Sequence, residues 1–403
     1  MLKNKTIVVG VTGGIAAYKS VELVRLLAKE EAKVRVVMTR NAQYFVGPLT
    51  FRVLSGEPVF TDMFETHGDV SIWHISWAEE AEAVIIAPAT ANIIGKLAHG
   101  IADDPLSTMM LAVEAPVMIC PSMNTHMYEN EIVQRNLERL SERGFHVVSP
   151  GSGPLACGAT GPGRLPEPPV IVDRLLRILR PQDFAGFRVL VTAGPTQEPI
   201  DPVRYISNPS TGMMGFAIAR AAEHRGAEVI LVSGPSPLPD PLNVEVVRVR
   251  TAREMAEAVY ERTEHSRVII KTAAVADYRP EKFEDQKIKK AQGPNTLSLA
   301  LNPDILKELG RRKKPGQVLV GFAAETQELS RNAQQKLDEK NLDMIVANLI
   351  GSPGSGFGTQ TNKVSFFFHD GTRETLPLLS KDAVAHALLD RVKGVCGQST
   401  PDD

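Results

Sequence analysis

The chain alternates between short apolar runs and longer segments with helical periodicity. In the first part, runs rich in Val, Ile and Met lie at 6–11, 34–38, 83–88, 116–120 and 146–150. Runs without polar alternation, separated by helices, are typical of parallel strands that are covered on both faces of a sheet. The pattern therefore predicts an α/β fold that begins within the first six residues.

The same alternation starts again after a linker near residues 181–186. The second series of strand-like runs lies at 188–192, 228–233, 267–274, 317–325 and 343–348. A chain of 403 residues is also longer than one hydrophobic core usually supports. We therefore predict two α/β domains, residues 1–181 and 186–403. Asp370 and Gly371 lie between two further strand-like segments, which predicts a β-hairpin and a partly antiparallel second sheet.

The composition favours small-molecule chemistry over binding to nucleic acid or to a membrane. Charged residues make up 23% of the chain and the net charge is −2, so there is no basic excess that could bind an anionic polymer. No apolar run approaches the ~20 residues that span a bilayer, and no secretory leader pattern precedes the first strand. We therefore expect a cytoplasmic protein.

Three cysteines are too few and too widely spaced for a disulfide framework or a CxxC metal site. Cys120 ends an apolar strand and is predicted to be a small core residue. Cys157 lies in a loop of small residues, which predicts an accessible and reactive thiol. Cys396 is predicted to lie in a polar tail.

Thr12-Gly13-Gly14 joins the first strand to a helix. Glycines let a backbone pass close to a ligand, and the N-terminus of the helix can bind a phosphate. The third glycine of a dinucleotide fingerprint is missing, which favours a mononucleotide. The alternative is an ordinary connection between a strand and a helix.

Polar residues also follow two later strands. Thr90 and Asn92 follow the strand at 83–88, and Ser122 and Asn124 follow the strand at 116–120. The carboxyl ends of parallel strands meet at one edge of the sheet, where α/β proteins bind ligands. The alternative for such residues is that they cap helices. His74 lies nearby in the sequence among aromatic residues, where an isolated histidine is more often a packing residue.

Together these segments resemble the phosphopantothenoylcysteine decarboxylases over residues 5–178. The segments that carry the resemblance are "TGGIAAYK", His74, "PATAN", "PSMNTHMY" and "ACGATGPGR". The resemblance implies a Rossmann-like flavoprotein domain in which FMN oxidises the cysteinyl part of the substrate, carbon dioxide leaves and the reduced flavin returns the electrons. It assigns His74 as the base, Asn124 as the carboxylate-binding group and Cys157 as the proton donor. It also implies the FMN contacts Gly13, Gly14, Ile15, Thr39, Thr90, Asn92 and Ser122.

The second domain lacks a P-loop and carries its polar clusters elsewhere. Asp201, Arg204 and Asn208 precede a helix that starts after Ser210-Thr211-Gly212. Lys287, Lys289 and Lys290 form a basic run that follows a strand exit. The alternative for such a run is a solvated surface.

These segments resemble the phosphopantothenate–cysteine ligases over residues 187–392, and the order of the two halves is that of the bifunctional family. The resemblance implies that CTP activates phosphopantothenate as an acyl-cytidylate, which the amine of cysteine then attacks. It assigns Asn208 to the acyl group and Lys287 to the α-phosphate, with Mg²⁺ on the triphosphate. The implied CTP contacts are Ala273, Asp277, Lys287, Pro303, Asp304, Ile305, Phe322, Lys336 and Lys340. Met213 replaces a lysine that is usual in this family.

The resemblance further implies a homo-oligomer with a trimeric flavin half and a dimeric ligase half, which together can build a dodecamer. Two related classes stay open as alternatives: a peptidyl-cysteine decarboxylase and a non-catalytic regulatory flavoprotein. Cys157 and the ligase-like half argue against the first of these.

Overall fold

The chain forms two units, each built around its own sheet. The computed structural model describes residues 2–64, 73–154, 158, 160–289, 296–325, 329–349 and 358–398. The units are Met1–Arg180 and Pro181–Asp403. Helices pack on both faces of each sheet and give each unit two apolar layers. The predicted α/β class is confirmed for both units.

The sheet of the first unit is parallel throughout its described strands. Its strands are β1 (Thr6–Val11), β2 (Lys33–Met38), β3 (Val59–Phe60), β4 (Ala83–Ala89), β5 (Val117–Pro121) and β6 (His146–Val147). Their order is β3-β2-β1-β4-β5-β6, so the direction of winding reverses between β1 and β4. A reversal of this kind opens a crevice at the carboxyl ends of the two strands. A separate antiparallel pair, β7 (Gly151–Pro154) and β8 (Thr160–Arg164), follows the sheet.

The helices of the first unit divide between the two faces of the sheet. They are α1 (Ala17–Lys29), α2 (Pro48–Ser55), α3 (Trp73–Glu80), α4 (Ala91–His99), α5 (Pro105–Met110), α6 (Thr125–Tyr128), α7 (Glu131–Glu142) and α8 (Pro168–Ile178), with a 3₁₀ helix at Arg40–Tyr44. Leu23, Phe51 and Leu175 pack on one face. Trp77 and Ile94 pack on the other.

The second unit has a larger, mixed sheet. Its strands are β9 (Arg188–Ala193), β12 (Glu228–Ser233), β13 (Glu245–Arg248), β14 (Val268–Lys271), β17 (Val318–Glu325), β18 (Met344–Leu349), β20 (Val364–Phe368) and β21 (Arg373–Thr375), with short strands β10 (Gln197–Pro199), β11 (Tyr205–Ser207), β15 (Tyr278–Pro280), β16 (Leu299–Leu301), β19 (Thr361–Asn362) and β22 (Leu379–Ser380) beside it. The order is β13-β12-β9-β14-β17-β18-β20-β21, and only the pairs of β20 are antiparallel. The hairpin predicted at Asp370-Gly371 joins β20 and β21, so the antiparallel extension is confirmed.

The helices of the second unit are α9 (Met213–His224), α10 (Ala252–Thr263), α11 (Ile305–Arg312), α12 (Leu329–Glu339) and α13 (Lys381–Gln398). The prediction of a polar tail around Cys396 is wrong, because this residue lies on α13 and is 4% exposed. Val384, Leu388, Val392 and Cys396 recur every four residues and form one buried face of that helix. In the described part of the chain, no helix is both long and apolar enough to cross a membrane.

The start of the second unit is anchored by its first residues. Phe184 is fully buried, and its N–H donates to the carbonyl of Arg225 at 2.9 Å. The Arg225 guanidinium lies 4.8 Å from the centre of the Phe184 ring and donates through Nε to Asp183 at 2.8 Å. It also pairs with Asp390 of α13 at 2.7 Å. Residues 183–184 are therefore part of the packing of the second unit.

Candidate active sites

The carboxyl ends of four strands of the first sheet open into one cleft of about 880 Å³. Thr12 follows β1, Thr39 follows β2, Thr90 follows β4 and Ser122 follows β5, and all four line the cleft. Its volume lies within the range of about 300–1,000 Å³ that is usual for small-molecule sites. The structure also places other predicted contacts on the cleft wall, namely Gly13, Gly14, Ile15, Asn92 and Asn124.

The glycine loop lies tightly against its neighbours. A Cβ atom at position 13 would lie 2.5 Å from Cβ of Asn41, so only glycine fits there. Thr12 Oγ1 donates to the carbonyl of Pro88 at 2.7 Å and accepts from the N–H of Thr90 at 3.2 Å. These bonds tie the loop after β1 to the loop after β4. The loop leads into α1, whose first turn also lines the cleft.

Asn124 is positioned by two neighbours. Its Oδ1 accepts the N–H of His126 at 2.9 Å, which caps α6. The N–H of Met123 donates to the carbonyl of Gly163 at 3.0 Å, and a Cβ at Gly163 would lie 2.2 Å from the Met123 oxygen. Glycine thus lets β8 lie directly against the backbone that carries Asn124. Thr90 caps α4 in the same way, so capping a helix and lining the cleft are compatible.

The lysines of the cleft are neutralised by carboxylates. Lys96 pairs with Asp103 at 2.6 Å and with Asp104 at 2.8 Å, and Lys19 pairs with Glu167 at 2.6 Å. The strand-end groups are hydroxyls and amides, which suit the carbonyl and N–H groups of a neutral ring system. The glycine loop and the N-terminus of α1 suit a phosphate. The cleft therefore fits FMN.

The structure places Asn124 in the cleft, but it does not do so for the other two predicted catalytic residues of this unit. His74 lies in the first turn of α3 and is half-buried, beside the stacked rings of Trp73 and Trp77. It is not among the residues that line the cleft of its own chain. Cys157 lies outside the described residues.

In the second unit, Asn208 is fixed to the exit of β14. It follows β11, and its Nδ2 donates to the carbonyls of Ala274 and Val275, both at 3.2 Å. Ala273 is held in turn, because its N–H donates to Thr192 Oγ1 at 3.1 Å. The predicted acyl contact and the predicted nucleotide contact at Ala273 therefore lie at the same edge of the sheet.

A second group of predicted nucleotide contacts gathers at the N-terminus of α11. Asp304 caps this helix by accepting the N–H of Lys307 at 3.0 Å, and it pairs with Lys340 at 2.8 Å. A Cβ on Gly310 would lie 1.9 Å from the carbonyl oxygen of Lys340, so glycine is what lets α11 reach the turn that carries Lys340. The N–H of Asn302 donates to the carbonyl of Asp277 at 2.8 Å.

The remaining predicted residues are more scattered. Lys287 and Lys289 are exposed on the loop after β15, and Lys290 lies outside the described residues. Pro303 and Ile305 flank Asp304, while Phe322 lies on β17 and Lys336 on α12. Met213 is the first residue of α9. Among the described residues, no group of three or more His, Cys, Asp or Glu side chains could hold a metal ion.

Comparisons with known proteins cover both units. The Flavoprotein family matches residues 1–180, and the DNA/pantothenate metabolism flavoprotein C-terminal domain matches residues 184–395. The coenzyme A biosynthesis bifunctional protein CoaBC of Bacillus subtilis (strain 168) is 48% identical over 403 residues, which are 99% of this chain and 99% of that protein. The chain belongs to this family of bifunctional coenzyme A biosynthesis proteins. The resemblance seen in the motifs is thus confirmed.

Two further similarities concern the whole chain and its second half. The CoaBC protein of Escherichia coli (strain K12) is 45% identical over 97% of each chain. A crystal structure of the C-terminal domain of a CoaBC protein is 44% identical, covers 54% of this chain and 99% of that chain, and has a TM-score of 0.47.

Lys271 lies beside the candidate site of the second unit and was not predicted from the sequence. It ends β14, and its Nζ donates to the carbonyl of Ala273 at 3.2 Å. Burial and the charge of Lys340 lower the pKa of the Lys271 ammonium to about 8, although the charges of Asp304 and Asp277 act to raise it. The available signal was a lysine at the end of an otherwise apolar strand.

We expect Lys271→Met to raise the stability of the second unit at pH 7 by about 1 to 3 kcal/mol, because the native state no longer buries a charged amine. Between pH 8 and 10.5 the unfolded chain binds more protons than the native chain, so wild-type stability rises with pH across this window. The advantage of the variant should therefore shrink from pH 8 upward. Calorimetry at pH 7 and pH 10 measures this, with the exposed Lys307→Met as control. A difference in unfolding free energy between Lys271→Met and the wild type that is the same at both pH values would contradict the prediction.

Proposed function

We propose that the chain catalyses two consecutive steps of coenzyme A biosynthesis. The second unit joins phosphopantothenate to cysteine with CTP, through an acyl-cytidylate. The first unit then decarboxylates phosphopantothenoylcysteine to phosphopantetheine with FMN, and both reactions take place in the cytoplasm. The observation that carries the proposal is the cleft in which the ends of β1, β2, β4 and β5 bring Thr12, Thr39, Thr90 and Ser122 together with Asn124.

In the first unit, the glycine loop and the N-terminus of α1 would hold the phosphate of FMN, and the strand-end hydroxyls and Asn92 would hold its ring and chain. Bound FMN supplies the two-electron oxidation and reduction of the cysteinyl part. The Asn124 amide binds the substrate carboxylate without an opposite charge, so the carboxylate is not trapped as an ion pair when it has to leave as carbon dioxide. Cys157 returns a proton to the product, as its motif implies.

We propose that His74 acts as the base in the cleft of a second copy of the chain, since it is not among the residues that line the cleft of its own chain. Large apolar side chains are exposed at the cleft and in the segment that follows β2: Ile15 is 62% and Tyr18 60% exposed, and Tyr44, Phe45 and Leu49 are exposed as well. Large apolar side chains exposed in one segment of a chain are typical of an interface. The exposed side chains support a homo-oligomer, and we propose the arrangement that the family resemblance implies, with trimeric flavin halves and dimeric ligase halves that together build a dodecamer.

In the second unit, Asn208 would contact the acyl group beside the exit of β14, and Lys287 would stabilise the charge that develops on the α-phosphate. The residues at Ala273, Asp277, Asp304 and Lys340 would line the nucleotide pocket. Mg²⁺ would arrive with CTP, because phosphate oxygens and waters can complete its octahedron without a dedicated protein cage. Met213 cannot make the phosphate contact that a lysine would make at the start of α9.

Two fragments test the assignment of one reaction to each unit. We expect residues 1–180 to bind FMN and decarboxylate phosphopantothenoylcysteine, and residues 181–403 to ligate phosphopantothenate with cysteine and CTP, because each unit has its own core. The measurements are carbon dioxide release, flavin absorbance and pyrophosphate release. Ligation by the first fragment, or FMN bound to the second, would contradict the assignment. A peptidyl-cysteine decarboxylase or a purely regulatory flavoprotein would show no ligation by either fragment.

A further inference from the structure

The turn between β10 and β11 holds a buried carboxylate that the reaction as proposed does not use. Asp201 is 1% exposed. Its Oδ1 accepts the N–H groups of Val203 at 2.8 Å and of Arg204 at 2.9 Å, which closes the turn. Its Oδ2 accepts Nε of Arg204 at 2.9 Å. Burial alone would raise the pKa of this carboxyl, but these hydrogen bonds outweigh it and hold the pKa far below its ordinary value.

The same carboxylate reaches across 87 residues of sequence to the loop that carries Lys287. Asp201 Oδ2 accepts the N–H of Ile288 at 3.1 Å, while Arg204 Nη2 donates to the carbonyl of Ile288 at 2.7 Å. The N–H of Glu284 also donates to the carbonyl of Ile200 at 3.0 Å. Both backbone groups of Ile288 are thus held by one aspartate–arginine pair. The exposed Lys287 and Lys289 lie directly on either side of this fixed point.

The hairpin that holds this loop also ends in Asn208, which is bound to the carbonyls of Ala274 and Val275. One short hairpin therefore connects the Lys287 loop to the exit of β14. A charge that stabilises a transition state is effective only when it is already in place, and a displacement of about 1 Å can reduce a rate by about 100-fold. An exposed lysine on an untethered loop would not meet this condition.

We propose that Asp201 is a positioning residue of the ligase site. Together with Arg204 it fixes the backbone at Ile288 and so holds Lys287 where it can meet the α-phosphate of CTP. The expected effect of Asp201 on the rate of ligation rests on the proposed ligase function. The tethering of the loop is independent of that function and can be measured without turnover.

The test is Asp201→Asn in the full chain. The asparagine keeps the size of the side chain and one acceptor oxygen, but its NH₂ group turns a donor toward the donors of Arg204 and Ile288. We expect kcat of ligation to fall by about 10- to 100-fold while KM for CTP changes by less than about 3-fold. Decarboxylation by the same protein should be unchanged. The matched control is Asp183→Asn, which breaks another aspartate–arginine contact of the same unit away from this loop.

A double variant separates positioning from a general loss of structure. If Asp201 acts through Lys287, then Asp201→Asn should add little to the loss caused by Lys287→Gln, because the positioned group is already gone. If the loss of kcat in the double variant equals the product of the losses in the two single variants, the proposal is overturned. A kcat in Asp201→Asn equal to that of the wild type, or an equal loss of kcat in Asp183→Asn, would also overturn it.

Hydrogen exchange supplies a readout that does not depend on catalysis. Amides of residues 284–289 should exchange at least about 10-fold faster in Asp201→Asn than in the wild type or in Lys287→Gln. Unchanged exchange overturns the proposal even if ligation falls. A wild-type protein that does not ligate overturns the proposed function instead and leaves the exchange test to decide the tether. Should Asp201→Asn fail to fold, Arg204→Gln removes the bond to the Ile288 carbonyl and the charge that faces Asp201 from a half-exposed side chain, and it is expected to change exchange and kcat in the same direction.

Discussion

Lys287→Gln is expected to reduce CTP-dependent ligation by about 100- to 1,000-fold and to leave decarboxylation unchanged. The removal of one positioned charge from a developing oxyanion typically raises a barrier by about 2.7 to 4 kcal/mol. Glutamine is polar and only one atom shorter than lysine, so the loss reports chiefly the charge. The reactions should be separable because the candidate residues for each lie within one unit.

Lys289→Gln is the matched control for this prediction. Lys289 is exposed on the same loop, on the other side of Ile288, and carries the same charge. A general electrostatic effect of the basic loop would make both variants slow, and it would weaken at high salt. The expected result is a loss in Lys287→Gln alone, measured as pyrophosphate release with CTP and with ATP. Wild-type ligation by Lys287→Gln would mean that the lysine run is only a solvated surface.

His74→Asn is expected to retain FMN and to lose carbon dioxide release by about 100- to 10,000-fold. Positioned general bases contribute rate factors of this size, and an imidazole can accept a proton near neutral pH. Bound FMN should persist because the change removes a base and leaves the predicted FMN contacts of the cleft in place. Flavin absorbance of the purified variant and carbon dioxide release from phosphopantothenoylcysteine measure the two effects. His99→Asn, on the exposed end of α4, is the control and should keep both.

A mixed oligomer tests whether His74 works in the cleft of a neighbouring copy. Asn124→Asp should also abolish decarboxylation, because the new carboxylate repels that of the substrate, while an aspartate can still cap α6. When Asn124→Asp and His74→Asn chains are expressed together, some clefts combine a native Asn124 with a native His74 from the other chain. Activity should therefore return in the mixture, although each variant alone is inactive. An inactive mixture that still assembles would contradict a shared site, and normal decarboxylation by His74→Asn would contradict the base role itself.

The strands of both sheets were predicted well because each strand can be recognised from the residues within it. Short apolar β-branched runs such as 6–11 and 228–233 favour buried strands, and their bounds agree with β1 and β12. The gathering of Thr90, Ser122 and Asn124 on one cleft also follows from local information. Parallel strands point the same way, so polar residues placed after them meet at one edge.

Contacts between distant segments could not be predicted in this way. The bonds between Asp201 and Ile288 join residues 87 positions apart, and the spacing of polar residues along one segment does not specify such a contact. Lys271 was missed for a similar reason, because its pKa is lowered first by burial in the folded unit and then by the charge of Lys340, which is distant in the sequence. Cys396 was different: its four-residue spacing from Val392 and Leu388 indicated a buried helical face, but the neighbouring polar residues and glycines concealed it.

The buried anchor at Asp183 and Phe184 limits where this chain could be encoded by two separate genes. A start codon placed after Phe184 would remove the ring beneath the Arg225 guanidinium and one of its carboxylate partners, and the second protein would begin with a damaged core. A break between Arg180 and Pro181 keeps these contacts within one product. Fission of such a gene, or fusion of two ancestral ones, is therefore confined to the few codons just before Asp183.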